Sequence, residues 1–370
     1  MSFRKNISYI LFPLTCWYAV GVRCRNMLYA LGIKKQEAPH ITTIGVGNLS
    51  TGGSGKTPHV EYLLRLLGDK YPTAMLSRGY KRKSKGYILD DGSHDAALLG
   101  DEPAMIARKF PQVQVAVCEK RVEGVRRLMA PPAVTPETPD NQEIPVIPQL
   151  IILDDVFQHR AIKPSINILL TEYGHPYYKD HILPYGDLRE FKKARFRANI
   201  VIVTKCPANL NPIEKHNILH DLHLLNYQKA FFSYLKYGIL QTLDGKPVDI
   251  DLRRVDNILC VTGIAHPEPM LAELRRHTKV QHIPFADHHD FTSGDIARIK
   301  DTFAALPGSN NIIVTTEKDA MRLHGLDDLP VHVLPIEVAF HKENDKDFDT
   351  LIESSVRENI MFLSKLSIWN

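Results

Sequence analysis

Residues 41–57 read ITTIGVGNLSTGGSGKT, an apolar β-branched run, a glycine-rich loop and then Gly55-Lys56-Thr57. This segment constrains the fold more than any other, because it is how a backbone is built to hold a polyphosphate. A strand delivers the loop, and glycines let several N–H groups converge with no Cβ in the way. A lysine adds a positive point charge, and a hydroxyl reaches a magnesium ion. Residues 58–67, PHVEYLLRLL, follow as a helix. Pro58 suits an early helical position, and Val60, Leu63, Leu64 and Leu67 recur at helical spacing. Gly52, Gly53, Ser54, Gly55, Lys56 and Thr57 are therefore the candidate nucleotide ligands. The loop departs from the usual spacing, with Ser50 where the first glycine belongs. A Gly/Ser turn that merely contains Lys-Thr is the alternative, but strand, loop and helix come in the required order.

A chain of 370 residues has room for two domains. Its net charge of only +4 does not indicate a nucleic-acid binder. Cys16, Cys24, Cys118, Cys206 and Cys260 are scattered and odd in number, without zinc spacing, as suits thiols in a reducing compartment. Residues 7–22, ISYILFPLTCWYAVGV, are uncharged and carry Tyr9, Trp17 and Tyr18. Arg4, Lys5, Arg23, Arg25, Lys34 and Lys35 surround them, and no acid precedes Glu37. The run is short for a spanning helix, which needs about 20 apolar residues, and Pro13 interrupts it. A cleaved signal fits poorly, with basic residues after the apolar run. An interfacial anchor over residues 1–35 is expected, with a buried soluble helix as the alternative.

Further along, residues 73–76 read as a strand ending in Ser77-Arg78-Gly79-Tyr80, at the edge where open α/β sheets bind ligands. Gly100-Asp101-Glu102-Pro103 opens a helix, and an Asp there is often only an N-cap. A strand over 113–117 and a helix over 120–129, carrying Arg121, follow. Residues 131–148 are proline-rich and read as an exposed insertion without a catalytic role. Residues 150–153 form a fully apolar run, as in a central parallel strand, and end in Asp154-Asp155. Two carboxylates at that tip suit a metal partner for the loop. One holds or orients Mg²⁺, and the other reaches the metal or a substrate hydroxyl. Strands over 166–170 and 200–203 follow, with Arg189, Glu190 and a basic helix between them. Thr204-Lys205 lacks the guanine-reading Asp that would follow in a GTPase, which favours ATP.

From residue 230 the pattern changes. A long strand and a return strand over 331–340 could form a hinge around a smaller α/β domain. That domain carries Asp287-His288-His289-Asp290, a run without zinc-type helical spacing.

These motifs together resemble the tetraacyldisaccharide 4′-kinase family. The resemblance rests on GNLSTGGSGKTP (47–58), LSRGY (76–80), GDEP (100–103), LDDVFQHR (153–160), LPYGDLRE (183–190), VTK (203–205), TGIAHPE (262–268), FADHHDF (285–291) and TTEKDAMRL (315–323). It runs through most of the chain. Val156 stands where the family usually has glycine, and ILPYGDLRE replaces an LLPAGPLRE-type run. The resemblance implies transfer of the γ-phosphate of ATP, with Mg²⁺, to the 4′-hydroxyl of an acylated disaccharide 1-phosphate, giving lipid IVA. It implies an α/β fold: a P-loop NTPase domain with a mostly parallel sheet, joined by a two-stranded hinge to a smaller C-terminal α/β domain. The expected divisions are an anchor helix (1–35), a nucleotide-binding domain (36–228), a hinge strand (229–252), a small domain (253–330), and a return strand with C-terminal helix (331–370). The expected location is the cytoplasmic face of the inner membrane, with no nucleic acid and no obligate protein partner.

By the same resemblance Asp101 is the base, helped by His288 with His289 as the alternative, and Lys56 is catalytic. Thr57, Asp154, Asp155 and Glu102 are the metal candidates. Arg78, Arg121, His159 and Arg189 are the substrate candidates, with Glu190 orienting Arg189. The rival readings are a partitioning-type ATPase, which would have a lysine where Thr51 stands, a nucleotide-gated membrane scaffold, and a small-molecule kinase.

Overall fold

The computed structural model describes residues 2–80, 82–130, 146–287, 289–342 and 347–367. The chain divides into two units, one of residues 1–235 with 338–370 and one of residues 236–337.

The larger unit is built on a nine-stranded sheet. Its strands are β1 (Thr42–Asn48), β2 (Thr73–Ser77), β3 (Ile88–Leu89), β4 (Gln114–Val117), β5 (Leu150–Leu153), β6 (Ile166–Glu172), β7 (Ile200–Thr204) and β8 (Lys229–Tyr237). The smaller unit contributes β9 (Asn257–Thr262), β10 (Lys279–Pro284), β11 (Asn311–Thr315) and β12 (Val331–Val333), and β13 (Ile336–Phe340) returns to the large sheet. The large sheet runs β13-β8-β7-β6-β1-β5-β2-β4-β3 and the small one β10-β9-β11-β12. Pairings from β4 through β8 are parallel, and β3 lies antiparallel on β4. The helices are α1 (Ser2–Ala30), α2 (Lys56–Leu67), α3 (Ala96–Leu99), α4 (Asp101–Lys109), α5 (Arg121–Met129), α6 (Pro212–Leu222), α7 (Glu268–Leu274), α8 (Ser293–Ala304), α9 (Glu317–Ala320) and α10 (Phe348–Ser367).

Parallel strands joined by helical crossovers are covered on both faces, which is why they read as unbroken apolar runs. On one face Ile44, Val46, Ile152 and Ile168 pack with Leu63, Leu64 and Leu67 of α2 and with Phe348, Ile352 and Val356 of α10. On the other face Leu76, Ile151 and Leu153 meet Val125 and Leu128 of α5, and Leu169, Val201 and Phe232 meet Leu222 of α6. The small sheet is sandwiched likewise, with Cys260 and Val314 toward α7 and Leu259 and Ile313 toward Ile299 of α8.

Several local expectations are revised. Residues 331–340 are not one strand, because Leu334 and Pro335 separate β12 from β13 and the two belong to different sheets. Proline has no N–H to give a ladder. The strand after residue 229 ends at Tyr237, before Gly238. The basic helix expected after Glu190 is a short 3₁₀ segment, Lys192–Arg197. Most of the proline-rich insertion, residues 131–145, lies outside the described residues.

Helix α1 contains Pro13, and no helix among the described residues is long and apolar enough to cross a membrane. Val22 and Thr15 are buried, while Phe12, Leu14, Trp17 (77% exposed), Val20 and Met27 face outward. The Tyr18 hydroxyl donates to the Arg189 carbonyl at 3.0 Å, and Arg25 reaches Glu190 at 2.7 Å. The helix is thus fastened to the larger unit by its polar side and shows an apolar side outward.

Candidate active site

β1 lies between β5 and β6, with strands added outward on both sides, so the carboxyl ends of β1, β5 and β2 open on one crevice. The phosphate loop leaves β1 there. Gly55 caps α2 in a left-handed conformation (φ 81°), and Gly52 is also left-handed (φ 107°). A Cβ on Gly52 or Gly53 would meet nothing within 4 Å, so the loop is open on that side. Gly47 is different, since a Cβ there would fall 2.6 Å from Phe157 Cβ, and only glycine lets β1 pass that side chain. The segment around Leu188 pins the loop from the side. Thr51 N–H donates to the Asp187 carbonyl at 2.7 Å, and Arg189 N–H donates to the Leu49 carbonyl at 2.7 Å.

Asp154 and Asp155 close β5 and have opposite electrostatics. Asp154 is buried; one oxygen accepts from the Ser77 hydroxyl at 3.1 Å and Oδ1 has no partner. Burial, then the charges of Glu102 and Asp155, push its pKa up to about 6. Asp155 adopts φ 45°, a conformation that Asp tolerates better than most residues. Burial alone would raise its pKa too, but Lys56 and Arg189 outweigh it and hold the group below the usual carboxylate range. Lys56 Nζ lies 3.7 Å from one Asp155 oxygen and Arg189 Nη1 3.2 Å from the other.

The Thr57 hydroxyl donates to Glu102 at 3.0 Å, which brings the start of α2 to the start of α4. Asp101 is the first residue of α4, and its N-cap is Gly100. Asp101 is therefore not the cap that its position suggests. A Cβ on Gly100 (φ 91°) would fall 2.9 Å from the Tyr80 carbonyl oxygen, so a side chain there would collide with the turn carrying Arg78.

This donor set suits Mg²⁺. No group of three His, Cys, Asp or Glu poised for a metal occurs among the described residues. Mg²⁺ commonly keeps its waters and takes one or two carboxylates plus substrate phosphates. The partnerless Asp154 Oδ1, the Thr57 hydroxyl and Glu102 fit that requirement.

The substrate candidates separate. Arg121 is buried and spends its guanidinium on the backbone, donating to the Cys118 carbonyl at 2.6 Å and the Asp154 carbonyl at 2.9 Å. Burial lowers its pKa to about 10, against the pull of Asp154. Arg189 also reaches Asn48 and Gln158, each at 3.2 Å. Arg78 is exposed at the end of β2. His159 is pushed down to about 4 by burial and by the nearby charges of Arg121 and Arg78. It lines a cavity of about 550 Å³ with Lys120, Arg121 and Arg126. Glu190 does not orient Arg189. It is fully buried and pairs with Arg25 at 2.7 Å and Arg197 at 2.9 Å.

In the smaller unit His288 lies outside the described residues. His289 Nε2 is 2.9 Å from Asp295, the acid of the capping box that starts α8, and its ring stacks on Phe285 with centroids 4.8 Å apart. Sequence reasoning gave no individual role to Ser77, Asn48 and Gln158, polar residues inside the motifs, and it missed His59. The helical spacing gave His59 no place on the apolar face, yet it is buried against the loop.

Comparison with known proteins agrees with this arrangement. A family model described as tetraacyldisaccharide-1-P 4′-kinase matches residues 7–357. A tetraacyldisaccharide 4′-kinase of Phocaeicola vulgatus is 41% identical over 359 residues, covering 94% of this chain and 95% of the relative. One of Porphyromonas gingivalis is 42% identical over 317 residues, covering 84% and 85%. A crystal structure of LpxK from Aquifex aeolicus, described as an "apo" form in complex with ATP, superposes with a TM-score of 0.72 at 29% identity, over 95% of this chain and 99% of that one. With phosphate loop, paired aspartates and near full-length likeness in both sequence and fold, the chain belongs to the tetraacyldisaccharide-1-P 4′-kinase family.

Proposed function

We propose that the chain transfers the γ-phosphate of ATP to the 4′-hydroxyl of a tetraacyldisaccharide 1-phosphate, giving lipid IVA. One observation carries the reading at the level of geometry: Lys56 and Thr57, at the start of α2, face Asp155 and Glu102 across 3.7 and 3.0 Å. This is the set of groups that phosphoryl transfer needs, where positioning and charge stabilisation supply most of the rate.

The loop amides and Lys56 hold the β- and γ-phosphates. When bound, Mg²⁺ neutralises phosphate charge, and Thr57, Asp154, Asp155 and Glu102 are the residues that would hold it. Lys56 now shares Asp155 with Arg189, so Arg189 keeps that carboxylate ionised and aimed when the lysine turns to phosphate. Asp101, next to Glu102, takes the proton of the attacking hydroxyl as the new P–O bond forms and the bond to the β–γ bridging oxygen breaks. The assignment of His288 as the helper of Asp101 rests on the sequence resemblance. His289, engaged with Asp295, is the less suitable of the two. Arg78 and His159 remain the candidates for the sugar or its 1-phosphate. Arg121 instead acts through the Asp154 backbone.

The finer reading places the enzyme at the cytoplasmic face of the inner membrane. The outward apolar side of α1, with Trp17 and Met27 and the nearby Arg23, Lys34 and Lys35, supports an interfacial docking helix. The activity is tested by incubating the protein with labelled ATP and the tetraacylated disaccharide 1-phosphate in detergent. Label in the lipid is expected. Acceptor-independent ATP turnover without labelled lipid would instead favour a partitioning-type ATPase. Removing residues 1–35 should release the protein from anionic vesicles, and a truncated protein that still sediments with them would refute the docking helix.

A further inference from the structure

The carbonyls of Ser54 and Gly55, two consecutive residues of the phosphate loop, are both held from behind by side chains. The Thr204 hydroxyl, at the end of β7, donates to the Ser54 carbonyl at 3.0 Å. His59 Nδ1 lies 2.6 Å from the Gly55 carbonyl, which also accepts the His59 backbone N–H at 3.3 Å. A carbonyl can only accept, so Nδ1 carries the proton and Nε2 has a free lone pair. That lone pair faces the Ser233 hydroxyl of β8 at 2.9 Å. His59 is 3% exposed and Ser233 1% exposed, so this tautomer is enforced in a buried setting. Phe340 packs edge-on against the ring, with centroids 6.1 Å apart.

A trans peptide is planar, and its C=O and N–H point in opposite directions. Drawing the Ser54 carbonyl back turns the Gly55 N–H forward, and drawing the Gly55 carbonyl back turns the Lys56 N–H forward. Gly55 is the hinge between these two planes and is left-handed, so without side-chain restraint it has more freedom than any other residue type. We propose that His59, together with Thr204, is a positioning residue for nucleotide binding: it locks the two peptide planes whose N–H groups form part of the phosphate cradle, and Ser233 sets its tautomer. The inference rests on the nucleotide-binding reading above.

The test uses the full-length protein and the equilibrium binding of Mg·ADP, with kinase kinetics alongside. His59→Leu removes both bonds and should weaken ADP binding and raise the KM for ATP about tenfold, with the KM for the lipid acceptor unchanged. His59→Asn keeps an N–H donor at the level of Nδ1 and should recover binding to within about threefold of wild type. His59→Gln puts its amide nearer Ser233 and should recover less. Thr204→Val should weaken ADP binding in the same way as His59→Leu. If the leucine variant does not fold, the order of Asn over Gln decides. ADP affinity within twofold of wild type in folded His59→Leu, or Gln matching or exceeding Asn, overturns the proposal. Wild-type protein that binds no ADP would overturn the nucleotide reading itself, a result distinct from variants that bind normally.

Discussion

Replacing Asp154 by Asn is expected to make the protein more stable and less active at once. The carboxylate is buried, one oxygen is held by Ser77 and the other has no partner. Its pKa rises from 3.8 to about 6, first through burial and then through Glu102 and Asp155. A raised carboxylate pKa means that the folded state binds the proton more tightly than the unfolded chain. The folded protein therefore loses stability as pH rises from about 4 through 6 and carries the full penalty above that. At about 1.4 kcal/mol per pH unit, the cost at pH 8 is about 3 kcal/mol. Asparagine is nearly isosteric. Its oxygen can keep the Ser77 bond, and its NH₂ faces the two neighbouring carboxylates. The substitution should thus recover about 2–3 kcal/mol at pH 8 and little at pH 4. Urea unfolding at both pH values reads the difference, and turnover should fall by two orders of magnitude or more as a charge beside the phosphates is lost. A variant no more stable than wild type at pH 8 would refute the electrostatic reasoning. Wild-type turnover would remove Asp154 from the metal candidates.

Lys56→Ala should lower turnover at least about 100-fold with little change in melting temperature, as measured in the labelled-lipid assay, because its Nζ sits 3.7 Å from an Asp155 oxygen in a partly open site. Asp101→Asn should do the same without weakening ADP binding, and normal turnover in either variant would contradict its assigned role. Glu190→Gln leaves Arg25 and Arg197 sharing a neutral partner in a buried position, and should cost about 3 kcal/mol in urea unfolding. A loss below about 1 kcal/mol would show that the network is not held by charge. His59 and His159 are both lowered to about 4, chiefly by burial, so the unfolded chain takes up protons near pH 6.5 that the folded protein refuses. Stability contributed by each neutral histidine is present above pH 6.5 and lost as pH falls toward 4, while Asp154 moves the other way below pH 6. The net expectation from these three groups is a loss of about 1.4 kcal/mol per pH unit between pH 6 and 4, and urea midpoints that stay level there would contradict it.

Much of the nucleotide side of the site was legible in the chain, because its chemistry is local in sequence. A strand that must be buried on both faces tends to read as unbroken apolar residues, and residues 150–153 do so, while β1 is buried throughout although it also carries Thr42, Thr43 and Asn48. The loop glycines, Lys56 and Thr57 act through the backbone they belong to, and Asp154-Asp155 sit at a strand end that the apolar run itself marks. The misreadings fell where a choice among distant partners decides the outcome. Glu190 stands beside Arg189 in the sequence, yet its buried oxygens meet Arg25 and Arg197. Residues 331–340 looked like one strand, yet Pro335 and the competition between two sheets divided them.

The sequence alone determined which groups could meet a phosphate, since identity and spacing set what a short turn can present. Only the tertiary structure decided how those groups are charged and held. Asp154 and Asp155 are chemically the same residue, and one is pushed up while the other is held down because burial and the reach of Lys56 and Arg189 differ over a single position. His59 shows the same division: its letter carries no hint of the Gly55 carbonyl on one side of the ring and Ser233, 174 residues away, on the other. Solvent exclusion and through-space contact are properties of the packed chain, and no local pattern encodes them.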